Sequence, residues 1–153
     1  MRFVLISDNH GQIKPLNYIQ QTYGLDYKIL HCGDFMMEDA RLVSFECVQG
    51  NNDYFSKLPK ERIIHIDGVN ILLTHGNLYS TYSREEDLAR AAKDKGCQIV
   101  CYGHTHVPYE RVIDGVLVIN PGSLSHNRDG SLPSYMIVEF NSIDDYSAEL
   151  RRL

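Results

Sequence analysis

The sequence lacks any apolar run long enough to cross a membrane, and it has no low-complexity stretch and no linker rich in proline or glycine. Because a membrane-spanning helix needs about 18 or more consecutive apolar residues, we expect no membrane partner. The N-terminal segment Met1–Asp8 meets charge too early to be a signal peptide, so it predicts a first strand and a cytoplasmic protein. We therefore expect one domain, residues 1–153, with a substantial core.

Paired cysteines and excess positive charge are also missing. The four cysteines form no CxxC motif, and each lies in or beside an apolar run, which favours reduced structural thiols; zinc binding by Cys97 and Cys101 is the alternative. A net charge of −5 argues against a broad nucleic-acid footprint, although a nucleic-acid substrate stays open. Nothing in the sequence indicates an oligomeric state.

The chain instead carries five short polar clusters, each at the end of an apolar run that predicts a strand. They are Asp8-Asn9-His10, Gly33-Asp34, Gly50-Asn51-Asn52-Asp53, Thr74-His75-Gly76 and Gly103-His104-Thr105-His106. In open α/β sheets, ligands gather at the carboxyl ends of strands. A single cluster of this kind would more often be a turn or a structural histidine. Five of them, each after a strand, predict a site built for chemistry.

These clusters offer two carboxylates, four imidazoles and one amide, which is enough to hold two divalent metal ions. Mixed nitrogen and oxygen donors disfavour calcium. These donors do not select among manganese, zinc, iron, cobalt and nickel; of these metals we expect manganese. Two such ions would offset most of the negative charge of the chain and attract phosphate at one point.

The order of elements predicts an α/β fold with two mixed sheets packed together and helices outside. Helices are expected over Ile13–Tyr23, Glu85–Lys95 and, briefly, Glu38–Leu42. Ser83 followed by Glu86 resembles a capping box at the start of the second helix. Asp67-Gly68 and Asp114-Gly115 are hairpin turn signals in the second half.

The ordered clusters, together with Asn120-Pro121-Gly122-Ser123, resemble the calcineurin-like metallophosphoesterase superfamily, and most of all its small bacterial and archaeal branch of YfcE-type phosphodiesterases. This resemblance implies a four-layer αββα sandwich and a dinuclear site. By its motifs, Asp8, His10 and His106 would hold one ion, Asn51, His75 and His104 the other, and Asp34 would bridge them. A hydroxide between the ions would attack phosphorus in line with the leaving oxygen.

One position departs from many members of that superfamily, which have histidine directly after the metal-binding asparagine. Here the residue is Asn52, which can donate a hydrogen bond but cannot act as a general acid. We expect Asn52 to assist catalysis and Asp53 to orient Asn52 or a ligand histidine; a plain turn aspartate is the equal alternative for Asp53. The missing acid, together with the open site that the lack of a lid insertion indicates, favours a phosphodiester over a monoester, and we expect a small phosphodiester or nucleotide-like substrate.

Two other functions remain open at this point. One is a phosphomonoesterase acting on a phosphoprotein or a metabolite, and the other is a scaffold of the same fold without catalysis. Ser123 and Arg128 are candidate substrate-binding residues. Tyr79 and Tyr82, which follow His75, could form a rim on which an aromatic group stacks.

Overall fold

The structure is a computed structural model that describes residues 1–153. None of its helices has the length and apolar character needed to cross a membrane. The helices are α1 (Ile13–Tyr23), α2 (Arg84–Asp94) and a short 3₁₀ helix (Asp39–Leu42). The strands are β1 (Arg2–Ile6), β2 (Lys28–His31), β3 (Glu46–Cys47), β4 (Glu61–Ile66), β5 (Val69–Thr74), β6 (Ile99–Cys101), β7 (Tyr109–Ile113), β8 (Val116–Asn120), β9 (Ser134–Ser142) and β10 (Asp145–Arg152).

The strands form two five-stranded sheets, in the orders β10-β9-β1-β2-β3 and β4-β5-β6-β8-β7. Each sheet is mixed. In the first, β1, β2 and β3 run parallel and β9 and β10 are antiparallel additions. In the second, β5, β6 and β8 run parallel between two antiparallel edge strands. The predicted α/β class with two mixed sheets is therefore confirmed.

Side-chain alternation along β1 shows how the layers are arranged. Phe3 and Leu5 belong to the core between the two sheets, whereas Val4 and Ile6 pack on the other face against α1. The second sheet repeats the pattern, with Leu73 in the core between the sheets and Leu72 against α2. Since a strand sends successive side chains to opposite faces, one apolar run serves two cores. The order of layers is helix, sheet, sheet, helix.

The hairpin signals are confirmed by the backbone. Asp67 and Gly68 have φ values of 48° and 81°, and Asp114 and Gly115 have 49° and 76°. Two successive left-handed residues are the geometry of a type I′ turn. The capping box at α2 was a wrong prediction. Ser83 makes no cap hydrogen bond, and its hydroxyl donates to Asp87 Oδ2 at 2.9 Å instead.

The core between the sheets should dominate stability. Leu73 is fully buried there, so Leu73→Ala should lower the free energy of unfolding by about 2–5 kcal/mol, because it leaves a cavity that the packed sheets cannot close. The same change at the fully exposed Leu25 should alter it by less than about 0.5 kcal/mol. Urea unfolding of both variants measures this, and equal effects would show that the packing described here is wrong.

Candidate metal centre

The loops that follow the strands hold the candidate ligands in an unusual backbone conformation. Five of them have left-handed φ values between 44° and 67°: Asp8, His10, Asp34, His104 and His106. Such values cost a non-glycine residue on the order of 1–3 kcal/mol each, so the surrounding structure must enforce them. Strained residues cluster at functional sites, and here the strain coincides with the side chains that the sequence singled out.

A first group of ligand atoms surrounds Asp8. Its Oδ1 lies 3.2 Å from His106 Nε2 and 3.5 Å from His10 Nε2, and the two imidazole nitrogens are 3.0 Å apart. Asp8 is completely buried, and His106 is nearly so. These three atoms are close enough together to hold one metal ion. They are the three residues that the resemblance assigns to the first ion.

A second group lies beside it. His75 Nε2 is 3.4 Å from Asp34 Oδ2 and 3.9 Å from Asp8 Oδ1, and these three side chains are also close enough to hold an ion. Asp34 Oδ2 is in addition 3.7 Å from His10 Nε2, a member of the first group. Asp34 therefore lies between the groups, where a bridging ligand would have to be, and Asp8 also contributes to both.

Asn51 and His104 complete the predicted set. Asn51 Oδ1 is 3.0 Å from His104 Nδ1, and the centroid of the His104 ring is 5.2 Å from that of His75. The amide and the imidazole thus lie together on the His75 side of the centre. The structure brings all seven predicted ligands into one cluster.

Hydrogen bonds to the backbone fix the orientation of two imidazoles. His75 Nδ1 donates to the carbonyl of Cys32 at 2.8 Å, and His106 Nδ1 donates to the carbonyl of His126 at 2.7 Å. A nitrogen that donates to a carbonyl carries the proton, so the neutral ring presents its Nε2 lone pair to the centre.

Two buried atoms in this cluster, Asp8 Oδ1 and His75 Nε2, have no hydrogen-bond partner. Buried polar groups are normally satisfied, and leaving one unpaired costs about 1–3 kcal/mol. Asp8 Oδ2 is well satisfied by comparison, since it accepts from the Ser7 hydroxyl at 2.5 Å and from the His104 amide at 3.1 Å. One carboxylate oxygen is anchored and the other is free, as in an oriented metal ligand. The residues present therefore fit divalent ions.

The electrostatics of the cluster favour ionised carboxylates. Burial opposes the charge on Asp8, but the neighbouring imidazoles of His10 and His106 outweigh it and hold the pKa of this carboxyl well below its usual range. Asp34 behaves alike, since the neighbouring imidazole of His75 lowers the pKa of this carboxyl against the effect of burial. Burial also opposes the charge on His75, yet Asp34 keeps the pKa of this imidazole above its ordinary value. The buried carboxylates therefore favour positive charge within this cluster, which divalent cations would supply.

Two glycines let the loops approach the ligands. A Cβ at Gly103 would collide with the Ser7 hydroxyl and with Asp8 Oδ2, and a Cβ at Gly50 would collide with Asp34 Oδ1 and its backbone amide. No rotamer change of a long side chain could relieve these clashes, because both carboxylates are held in place. The close approach explains why glycine precedes both Asn51 and His104.

The candidate catalytic residues Asn52 and Asp53 have different surroundings. Asn52 contacts a predicted ligand, since its side-chain and backbone amides donate to the two oxygens of Asp34, each at 2.9 Å. Asp53 requires a correction: it orients neither Asn52 nor a histidine. Its carboxylate accepts backbone amides of Asp34, Met36 and Gly50 at 2.7–2.8 Å. Asp53 is a positioning residue that ties two ligand loops together.

The two candidate substrate-binding residues differ in their exposure. Ser123 is fully buried, and its hydroxyl donates to the Asp8 carbonyl at 2.7 Å, so it anchors the first ligand loop and has no surface for substrate. Arg128 is exposed, and its guanidinium approaches the His104 carbonyl at 3.4 Å. It remains a candidate at the rim of the centre.

Other buried residues support the ligand loops. His31 is buried and lies 2.8 Å from Asn9 Oδ1, and it also accepts the Gly33 amide, so it links the first two ligand loops. Burial lowers the pKa of His31 to about 4, which keeps the ring neutral. Asn127 accepts the Ser123 amide at 2.7 Å. Asn9 adjoins two candidate ligands in the sequence, but nothing in the sequence marks Asn127 or the carbonyl of His126.

Comparison with known proteins identifies the family. The calcineurin-like phosphoesterase superfamily domain matches residues 1–142. The probable metallophosphoesterase YsnB of Bacillus subtilis is 30% identical over 141 residues, which cover 90% of this chain and 83% of that protein. A phosphodiesterase of Methanocaldococcus jannaschii is 28% identical over 145 residues, covering 80% of this chain and 83% of that one.

A solved structure shows the same fold. The crystal structure of a predicted phosphoesterase from Streptococcus pneumoniae superposes with a TM-score of 0.86 over 98% of this chain and 97% of that chain, at 23% identity. At that identity the likeness concerns the fold, while the match over residues 1–142 concerns the family. The predicted resemblance is confirmed: the chain belongs to the calcineurin-like phosphoesterase superfamily.

Proposed function

We propose that this metallophosphoesterase uses two divalent ions, manganese by preference, to hydrolyse a small phosphodiester or nucleotide-like substrate. Asp8, His10 and His106 would hold one ion, Asn51, His75 and His104 the other, with Asp34 between them. The observation that carries the proposal is the pair of buried, unpartnered atoms Asp8 Oδ1 and His75 Nε2 within the cluster of ligands.

The residues of the chain prepare the centre in three ways. The backbone carbonyls of Cys32 and His126 hold two imidazoles with Nε2 toward the cluster. Asp53 and Ser123 fix the loops, so that ligands need not reorganise when substrate arrives. When bound, two divalent ions stabilise charge on the phosphoryl oxygens and lower the pKa of the attacking water.

The preference for a diester rests on Asn52. The asparagine lies against Asp34, within the cluster, and its amide has no proton to give to a leaving oxygen. A monoester with a poor leaving group depends most on such a proton. The name of the phosphodiesterase from M. jannaschii points in the same direction.

Replacing one carboxylate oxygen of Asp8 should weaken metal binding. Asp8→Asn keeps the size of the side chain but replaces one carboxylate oxygen with an NH₂ group, which repels a cation. We expect the bound manganese to fall from about two ions per chain to one or fewer, and saturating manganese to raise the melting temperature less than in the unchanged protein. Elemental analysis and thermal unfolding measure the two quantities.

The control is Asp67→Asn, the same chemical change at an exposed turn where asparagine also adopts a left-handed φ. It should bind metal as the unchanged protein does. If Asp8→Asn kept two ions and the full thermal shift, the assignment of Asp8 would be wrong.

The preference between esters is tested directly with aryl substrates. Manganese-loaded protein should hydrolyse diphenyl phosphate with a higher kcat/KM than phenyl phosphate, because phenol is a poor leaving group and the monoester depends on a general acid that position 52 does not supply. Initial rates of phenol release give both values. A monoester preference of about tenfold or more would contradict the diesterase proposal.

Restoring an acid at position 52 should change that preference. Asn52→His places an imidazole, which can donate a proton, beside Asp34, so kcat for the monoester should rise by about tenfold or more, within the usual range for general acid catalysis. Asn52→Ala is the control, because it removes the amide without adding an acid. Its kcat for the monoester should not rise. An unchanged monoester rate in Asn52→His would mean that another group supplies the proton.

A further inference from the structure

An open apolar groove adjoins the metal centre. It encloses about 510 Å³, and its lining includes Met36, Asn52, Tyr54, Phe55 and Lys57. That volume is within the range of cavities that bind small ligands. The groove shares Asn52 with the centre, and Met36 is two residues beyond Asp34. A group attached to phosphorus at the centre would therefore have this groove within reach.

The groove presents apolar side chains to water. Phe55 is 97% exposed, Tyr54 is 76% exposed and Met36 is 47% exposed. Single exposed apolar residues are common on protein surfaces, but three around one cavity are a feature of binding sites. Aromatic rings present flat faces for stacking, and methionine adapts its shape to what it contacts.

Met36 shares two backbone features with the candidate ligand Asp34, a left-handed φ and an amide that donates to Asp53. Its backbone has a left-handed φ of 52°, and its amide donates to Asp53 Oδ1 at 2.8 Å. Methionine gains nothing locally from that conformation, so the structure around it enforces the strain. Asp53 thus fixes both the Asp34 loop and the residue that reaches the groove.

Asn52 connects the two regions. Its Nδ2 donates to Asp34 Oδ2 at 2.9 Å, and its Oδ1 accepts the Tyr54 hydroxyl at 3.3 Å. The tyrosine ring is thereby tied to a predicted metal ligand through a single side chain. Tyr79, by contrast, is tied to Glu61 by a 2.6 Å hydrogen bond, and Tyr82 lies outside the groove.

We propose that the groove formed by Met36, Tyr54 and Phe55 binds an aromatic ring, a nucleobase or an aryl group, carried by one ester group of the substrate. This rests on the proposed function, because the phosphoryl group must be at the metal centre for its ester to reach the groove. The groove then selects among diesters by stacking, while the metal centre performs the hydrolysis.

Binding of phosphonates tests this without turnover, since a carbon–phosphorus bond is not a substrate for ester hydrolysis. Manganese-loaded protein should bind benzylphosphonate at least about fivefold more tightly than methylphosphonate by calorimetry, as expected for one stacked ring. The double variant Tyr54→Ala with Phe55→Ala should lose that difference and keep its affinity for methylphosphonate. Both side chains are exposed, so the variant should fold, which its melting temperature checks.

Tyr82→Ala is the matched control, because Tyr82 is a fully exposed tyrosine outside the groove. It should keep the preference for the ring. Three results would overturn the proposal: equal affinities in the unchanged protein, a preference that survives in the double variant, or a preference that disappears in Tyr82→Ala. The inhibition constants of adenosine 5′-monophosphate and benzylphosphonate are then compared. Tighter inhibition by the nucleotide indicates that the groove binds a nucleobase, and tighter inhibition by benzylphosphonate indicates a smaller aryl ring.

The outcomes also separate this proposal from the proposed function. If diesters are hydrolysed but the ring adds no affinity, the function stands and the role of the groove fails. If the ring adds affinity that depends on Tyr54 and Phe55 but no diester is hydrolysed, the groove stands and the diesterase proposal fails.

Discussion

The carboxylate of Asp8 is the constraint on which the rest of the centre depends. It follows the first strand, is completely buried, and has one oxygen anchored by Ser7 and His104 while the other is without a hydrogen-bond partner. A charge in that position is expensive unless something positive faces it. In the structure the Nε2 atoms of His10 and His106 lie 3.5 and 3.2 Å from the free oxygen. Divalent ions would supply the positive charge, and each can satisfy several donors at once.

Holding such atoms together requires a scaffold that resists their separation. The ligand loops end parallel strands in both sheets, so the core between the sheets fixes their distances. The left-handed backbone at five ligands is a local cost that the fold must offset. Asp53 offsets part of it by accepting three backbone amides from two loops, and Ser123 does so by anchoring the Asp8 carbonyl. These buried polar contacts hold the ligands before any ion arrives.

The clustering of the candidate ligands and the layer order could be predicted because each depends on a local pattern. Polar residues directly after apolar runs identify the carboxyl ends of strands, and parallel strands bring those ends together, so Asp34 and His75 meet although 41 positions separate them. The supporting contacts could not be predicted. The burial of Ser123 and the loop-tying role of Asp53 depend on which loops face each other, and the carbonyl of His126 has no sequence signature at all. The predicted capping box at Ser83 failed because Asp87 accepts its hydroxyl instead.

Asn52 lies between the metal centre and the groove. Its side-chain nitrogen contacts the centre, and its side-chain oxygen contacts the groove. The amide nitrogen occupies a lone pair of Asp34 Oδ2, the same atom that lies between His10 and His75, so it limits how that oxygen can be shared. The amide oxygen holds the Tyr54 hydroxyl at the wall of the groove. A residue here that supplied a proton would have to give up one of these contacts, because an imidazole cannot reproduce the paired donor and acceptor of an amide. Asparagine at this position therefore has two effects: it supplies no general acid, and it links the Tyr54 hydroxyl to Asp34, a candidate metal ligand. Under the proposed function, both effects favour a substrate that has a good leaving group and an aromatic ring.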